Sequence, residues 1–176
     1  IIIARGPVLT EGNKILIDNY FKKEFRCIVL LRDLMDVLAS YMKWYTENPD
    51  AFVNKHGSND EEKLMFLMSD DGAIAKELKA IQNSFNYQDM CCYIKYNDLI
   101  TNPEPEIKKI YQLLDEPYYP HQFENLQQLN INGIGYNDTV LGKDMHTIRS
   151  TIQKIPNPYK DRIPQSVRDK YEHIRF

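Results

Sequence analysis

The sequence predicts an α/β protein in which a parallel sheet is flanked by helices. Three observations carry that reading. The first is an unbroken apolar run, Cys27-Ile28-Val29-Leu30-Leu31. It is too short for a helix and rich in branched side chains, which suits a strand buried on both faces. The second is the order around it. An apolar start at Ile1-Ile2-Ile3-Ala4, a segment of helical character over Lys14–Lys23 and then this run give the strand–helix–strand pattern that builds parallel sheets. The third is helical spacing directly after the strand, with Leu34, Val37, Leu38 and Tyr41 recurring on one face. A chain of 176 residues is long enough for one well-buried core and short for two, so residues 1–176 are read as a single domain.

Composition narrows the class. Hydrophobic residues make up 43% and charged residues 27%, the balance of a globular chain. A net charge of −3 argues against a general nucleic-acid binder, which needs a broad basic surface, so any anion site must be local. The longest apolar runs are far below membrane-spanning length. Cys27, Cys91 and Cys92 are an odd number of thiols in strand-like segments. They read as buried free cysteines in a reducing compartment, with a cytoplasmic location expected. His56, His121, His146 and His173 show no metal-ligand spacing, and no metal is expected.

The remaining elements follow in order. Arg5-Gly6-Pro7 breaks the opening strand, and Val8 to Asn13 reads as loop. Ile15, Tyr20 and Phe21 form the apolar stripe of the first helix. Thr46 to Glu61 is polar and reads as a connection or a loop over the site. Glu62 to Met68 begins a helix, and Ser69-Asp70-Asp71-Gly72 is a turn with a good N-cap. Ala73 to Phe85 has Ile74, Leu78, Ile81 and Phe85 at helical spacing. Met90 to Lys95 is the next strand. A helix from about Pro105 to Leu114 turns Ile107, Ile110, Tyr111 and Leu114 toward the sheet. His121 to Leu129 is expected as a helix, and Asn130 to Gly142 as a mobile connection. Gly133 and Gly135 make no dinucleotide fingerprint, for no strand precedes them and no third glycine follows. The tail carries Pro156, Pro158 and Pro164 and ends in a helix over Gln165 to Ile174.

The chemistry gathers behind the central strand. Arg32 stands at its carboxyl end, where ligands bind in open parallel sheets. Asp33 can cap the following helix, and Asp36 adds negative charge to its first turn, where the dipole favours it. Ser40, four residues past Asp36, shares its face. A guanidinium fork beside a hydroxyl is a cradle for a phosphate. The plainer alternative is that Arg32 pairs with Asp33, Asp36 or another carboxylate, and that Ser40 is merely tolerated in the helix. A strand followed by R-D-x-x-D-x-x-x-S resembles the 3′-phosphate-binding motif of the sulfotransferase family. The resemblance implies a P-loop nucleotide-binding-like sulfotransferase fold. It also implies 3′-phosphoadenosine 5′-phosphosulfate as cosubstrate, with its 3′-phosphate held by Arg32 and Ser40. The family often has Pro after the Asp; Leu34 stands there in this chain.

A second block resembles the same family. The strand at Met90–Lys95, then Tyr96-Asn97-Asp98-Leu99, a polar-Pro turn and an amphipathic helix match its Y-E-D-L signature, with Asn97 where Glu is usual. That makes Tyr96 a candidate for contact with the adenine or ribose; otherwise it closes the strand with its hydroxyl satisfied locally. Asp98 reads as a structural cap. Lys143 to Lys154 resembles the C-terminal block that closes over the nucleotide, so Arg149 and Ser150, with Lys154, are candidates for phosphate contact. In the family the general base lies in the loop before the central strand, as His or in some branches Glu. Here that loop has no His, and its charged residues up to Ile15 are Arg5, Glu11 and Lys14. Glu11 is therefore the candidate base and Arg5 a candidate for stabilising sulfonyl oxygens.

The family's Gly-rich 5′-phosphosulfate loop is not found: the chain has no G-x-x-x-x-G-K-[ST] and no K-x-G-[ST]-T. With the blunt start at Ile1, the expectation is that a front portion carrying it is missing from this sequence. The overall expectation is a sulfotransferase acting on a hydroxyl or amine acceptor. The alternatives are a P-loop-type nucleotide kinase or phosphotransferase, which should need a Walker lysine and a metal-binding acid, and a non-catalytic nucleotide-binding module.

Overall fold

The apolar run forms strand β1, Cys27–Leu31, and it pairs in parallel with β2, Cys91–Lys95. The structure, a computed structural model, describes residues 6, 9–21, 25–127, 130–131, 134–135 and 148–176. The register runs from Cys27 opposite Cys91 to Leu31 opposite Lys95, without a slip. An α/β architecture follows, because a parallel pair needs a crossover and the chain between the two strands supplies helices. The expected strand at Ile1–Ala4 lies outside the described residues, as do Arg5 and most of the Asn130–Gly142 stretch. Expected burial on both faces of β1 is corrected. Val29 and Leu31 are buried, but Ile28 is 48% and Leu30 50% exposed among the described residues. Alternation along the strand puts those two on one face.

Helix α2, Leu34–Glu47, is the centre of the core. Its interior has no Gly or Pro, and Asp33 caps it by accepting a hydrogen bond from the Asp36 amide at 3.0 Å. It stops at Asn48, the residue before Pro49, where helical backbone is disfavoured. Leu34, Met35, Leu38, Ala39, Met42 and Tyr45 are buried, joined by Leu64, Leu67, Ile74, Ile163 and Val167. Each fully buried side chain of the Leu or Met type contributes about 1.5–3 kcal/mol of transfer free energy. The C-terminal tail is thus part of the core, since Ile163 and Val167 insert beside α2.

Other elements match or correct the expectations. Helix α1 spans Glu11–Leu16, capped by Thr10, and continues as a π-helical turn over Ile17–Phe21. The segment read as loop therefore already contains a helix start, and the expected apolar stripe leaves Ile15 and Tyr20 exposed. A 3₁₀ turn, Phe52–Lys55, and the start of α3, Asp60–Leu67, fall inside the stretch read as a connection. Helix α4, Ala73–Ser84, has Gly72 at its N-cap, without the side-chain cap that the turn suggested. Tyr96–Thr101 forms α5, in which Asp98 makes no side-chain cap, contrary to its expected role. Helix α6, Pro103–Leu114, opens with prolines in its first turn and ends at Asp115 in left-handed backbone. Its one buried residue is Glu106, while Leu114 is half exposed.

The helix expected at His121–Leu129 is absent from its described part. Glu124 instead forms an antiparallel bridge with Thr151, and Asn125 is left-handed at φ 54°. Two short strands, β3 (Asn130–Ile131) and β4 (Ile134–Gly135), pair beyond it. The tail forms a 3₁₀ turn, Pro158–Arg162, and a shorter helix than expected, α7, Gln165–Tyr171. All three cysteines are free, but Cys92 alone is buried; Cys27 and Cys91 are half-buried. Burial, then the neighbouring Cys91, pushes the Cys27 thiol up to about 11, which leaves it a poor nucleophile.

Candidate functional site

The parallel register explains how the site forms. Leu31 and Lys95 are partners at the last rung, so the next residues, Arg32 and Tyr96, emerge side by side at the carboxyl edge of the sheet. The Arg32 guanidinium lies over the Tyr96 ring, 4.5 Å from its centroid. Arg32 is half-buried, and its Nε is fully enclosed with no hydrogen-bond partner among the described residues. A buried charged donor left unpaired costs about 1–3 kcal/mol or more, so its retention calls for an explanation.

The plainer alternative, pairing of Arg32 with its acidic neighbours, does not occur. Asp33 and Asp36 are both taken by cations from the tail. Lys160 Nζ donates to Asp33 Oδ1 at 3.1 Å and to Asp36 Oδ1 at 2.7 Å. Arg175 reaches Asp33 Oδ2 at 3.2 Å. Burial works to raise the Asp33 pKa, but the Lys160 hydrogen bond, the Asp36 amide and the charges of Lys160 and Arg175 outweigh it and hold the carboxyl below its ordinary value. Burial likewise works to lower the Lys160 pKa, and the two carboxylates outweigh it and raise it.

These shifts fix a pH dependence. A carboxyl lowered in the folded state contributes stability that is present above its unfolded value and lost as pH falls through the folded one. Lys160, being raised, contributes stability present below its unfolded value and lost only as pH rises through the folded one. Thermal stability should therefore fall on acidification below the ordinary aspartate range, about pH 4. The step should shrink in Asp33→Asn, which keeps a capping side chain but has no carboxyl to protonate. Melting temperature against pH for the two proteins checks this; superimposable acid limbs would contradict it.

The other sequence-predicted residues are distributed as follows. Ser40 stands one turn past Asp36 on α2, half-buried, and its hydroxyl donates to the Asp36 carbonyl at 2.9 Å. The oxygen keeps its acceptor capacity, and rotation would turn the proton toward a ligand. Glu11 is exposed in the first turn of α1, and among the described residues no hydrogen bond or ion pair ties it to Arg32 or Tyr96. Arg149 and Ser150 are exposed, and the Ser150 carbonyl accepts from the Leu126 amide at 2.9 Å, beside the Glu124–Thr151 bridge. Arg5 lies outside the described residues. The structure thus brings Arg32 and Tyr96 into contact and adds Lys160 and Arg175, which the sequence reading missed. Among the described residues no group of His, Cys, Asp and Glu is placed to hold a metal ion. No helix among them is long and apolar enough to cross a membrane.

Arg32 and Tyr96 thus stand at the carboxyl edge of the parallel pair, the end at which ligands bind in open α/β sheets. The comparison with protein families makes the class definite. The family described as the sulfotransferase domain matches residues 13–141, so the chain belongs to that family. It is a transferase, and its chemistry is sulfotransfer. No curated protein matches the chain, and no solved structure does. The matched stretch contains Arg32, Ser40 and Tyr96 and ends before Arg149, Ser150 and Lys160.

Proposed function

We propose that this protein moves a sulfonyl group from 3′-phosphoadenosine 5′-phosphosulfate to a hydroxyl or amine acceptor, with the 3′-phosphate held by Arg32 and Ser40. The observation that carries the reading is Arg32 at the carboxyl edge of the sheet, with both neighbouring carboxylates committed to other cations. Beside the enclosed Nε the guanidinium carries further N–H donors, and its planar fork suits two parallel bonds to one phosphate. The Tyr96 ring lies against the guanidinium and helps to hold it at the sheet edge. The adenine or ribose would lie beyond Tyr96 along the same sheet edge.

In the reaction the acceptor oxygen or nitrogen attacks the sulfur in line with the bond to the 5′-phosphate. That S–O bond breaks, adenosine 3′,5′-bisphosphate leaves with its electron pair, and the acceptor's proton passes to a base. Glu11 is the candidate for the proton, and Arg5, Arg149 and Ser150 for contacts to the sulfonyl or phosphate oxygens. The anchored 3′-phosphate orients the cosubstrate, so that binding energy away from the reacting atoms contributes to positioning. Three free thiols favour a reducing compartment, the cytoplasm. The family match favours sulfotransfer over a kinase or phosphotransferase reaction.

The test is transfer of labelled sulfonyl from the cosubstrate to a panel of phenols, sugars, amines and tyrosyl peptides. Labelled product formed together with adenosine 3′,5′-bisphosphate is the expected result. Transfer from adenosine 5′-phosphosulfate at an equal rate would contradict the role given to the 3′-phosphate.

A further inference from the structure

Two acids follow Arg32 in the chain, and neither touches it. Asp33 is its direct neighbour, and the Asp36 amide donates to the Asp33 side chain. Carboxylates so near in the chain are natural candidates to pair with a guanidinium. Here Lys160 bridges Asp33 and Asp36, and Arg175 takes the other oxygen of Asp33. Two carboxylates are thus matched by two cations, and among the described residues no carboxylate pairs with Arg32. Lys160 is held in place by the fold. It lies in the Pro158–Arg162 turn, whose Lys160 carbonyl accepts from the Arg168 guanidinium. The Arg168 Nε also donates to the Ile163 carbonyl at 3.2 Å. Ile163 and Val167, on either side of that arginine's anchor, are buried against α2.

Resting on the reading of Arg32 as the phosphate ligand, we propose that Lys160 is a positioning residue for the nucleotide. By occupying Asp33 and Asp36 it keeps both carboxylates off Arg32, so that the guanidinium stays open to the 3′-phosphate. Removing Lys160 leaves Asp36 uncompensated. That carboxylate then competes with the phosphate for Arg32 and repels the dianion directly. Lys160 touches no substrate in this account; it acts through the charge of the two aspartates.

The test is calorimetric titration of the full chain with adenosine 3′,5′-bisphosphate and with 5′-AMP. Lys160→Met should weaken the bisphosphate about tenfold, the scale of one uncompensated charge near a half-buried site. Its affinity for 5′-AMP should stay within about threefold, because that ligand lacks the phosphate in question. Lys160→Arg should retain wild-type binding. The double variant Asp36→Asn with Lys160→Met should recover most of the lost affinity, since Arg175 still covers Asp33. A purely structural brace would weaken both nucleotides alike, so equal losses for the bisphosphate and 5′-AMP overturn the proposal, as does failure of the double variant to recover. Unchanged bisphosphate affinity in Lys160→Met, with wild type binding normally, overturns this inference alone. Absence of bisphosphate binding by the wild type overturns the Arg32 reading and this inference with it.

Discussion

Arg32→Ala is expected to abolish measurable binding of adenosine 3′,5′-bisphosphate while leaving the fold intact. Losing a charge-assisted, bidentate contact in a half-buried site costs roughly 2–5 kcal/mol, or about thirty-fold to several thousand-fold in affinity. The fold should hardly notice. The substitution forfeits stacking on Tyr96, worth about 0.5–2 kcal/mol, but also removes an enclosed donor without a partner, whose burial costs about 1–3 kcal/mol. The two terms offset, so the melting temperature should move by only a few degrees in either direction. Arg32→Lys keeps the charge and loses the fork, and should bind with intermediate affinity. A titration paired with a thermal melt separates the outcomes. Wild-type affinity in the alanine variant would contradict the site, and a large loss of stability would mean that Arg32 is structural.

Gly72→Ala should be the most damaging small substitution for stability. The reason is space, not backbone strain, for Gly72 has φ −74° and ψ 149°, which alanine adopts freely. A Cβ there would stand 2.2 Å from the Leu67 carbonyl oxygen and 2.3 Å from that of Phe66. Both are backbone atoms of the last turn of α3. The Phe66 carbonyl is further fixed by the Ser69 amide at 3.0 Å and the Ser69 hydroxyl at 2.7 Å. Leu67 itself is fully buried. Relief would require moving α3 away from α4 and opening the core, at a cost of about 3 kcal/mol or more. Gly12 is the control, since its Cβ would meet nothing within 4 Å in the exposed helix α1. Gly12→Ala should be neutral or stabilising by about 0.5–1 kcal/mol. Denaturant midpoints of the two variants check the contrast, and equal midpoints would contradict it.

What the sequence disclosed and what it hid have a common cause, the distance over which each feature is encoded. Strand β1 and the Asp33 cap are local patterns, and they emerge as read; the face of α2 is corrected, for Leu34 and Leu38 are buried as expected but Val37 and Tyr41 only partly, and the buried side runs through Met35, Ala39, Met42 and Tyr45. Tyr96 was tied to the nucleotide only by family resemblance; its position beside Arg32 follows from the register of β1 and β2, which no local pattern states. The pairing of Lys160 with Asp33 and Asp36 joins residues 127 and 124 apart in the chain, and Arg175 is 142 from Asp33. Nothing in the run Asn157-Pro158-Tyr159-Lys160 announces such partners. The stretch after His121 misled for the opposite reason. Its Phe123, Leu126 and Leu129 suit a helix locally, but Asn125 is left-handed and Glu124 pairs with Thr151 across the chain. Burial was equally non-local: β1 reads as covered twice, and yet Ile28 and Leu30 are half exposed. Helix α6 reads as an apolar lid, and the residue it buries is Glu106, whose Oε1 meets Lys109 while Oε2 has no partner.

The central claim is that Arg32 stands unpaired in order to hold a 3′-phosphate. Calorimetric binding of adenosine 3′,5′-bisphosphate against 5′-AMP tests it most directly, because the two ligands differ in that group alone. The expected result is preference for the bisphosphate by at least about thirty-fold, the lower end for a charge-assisted contact, declining as salt is raised. Equal affinity for the two nucleotides, or binding of neither, would contradict the account.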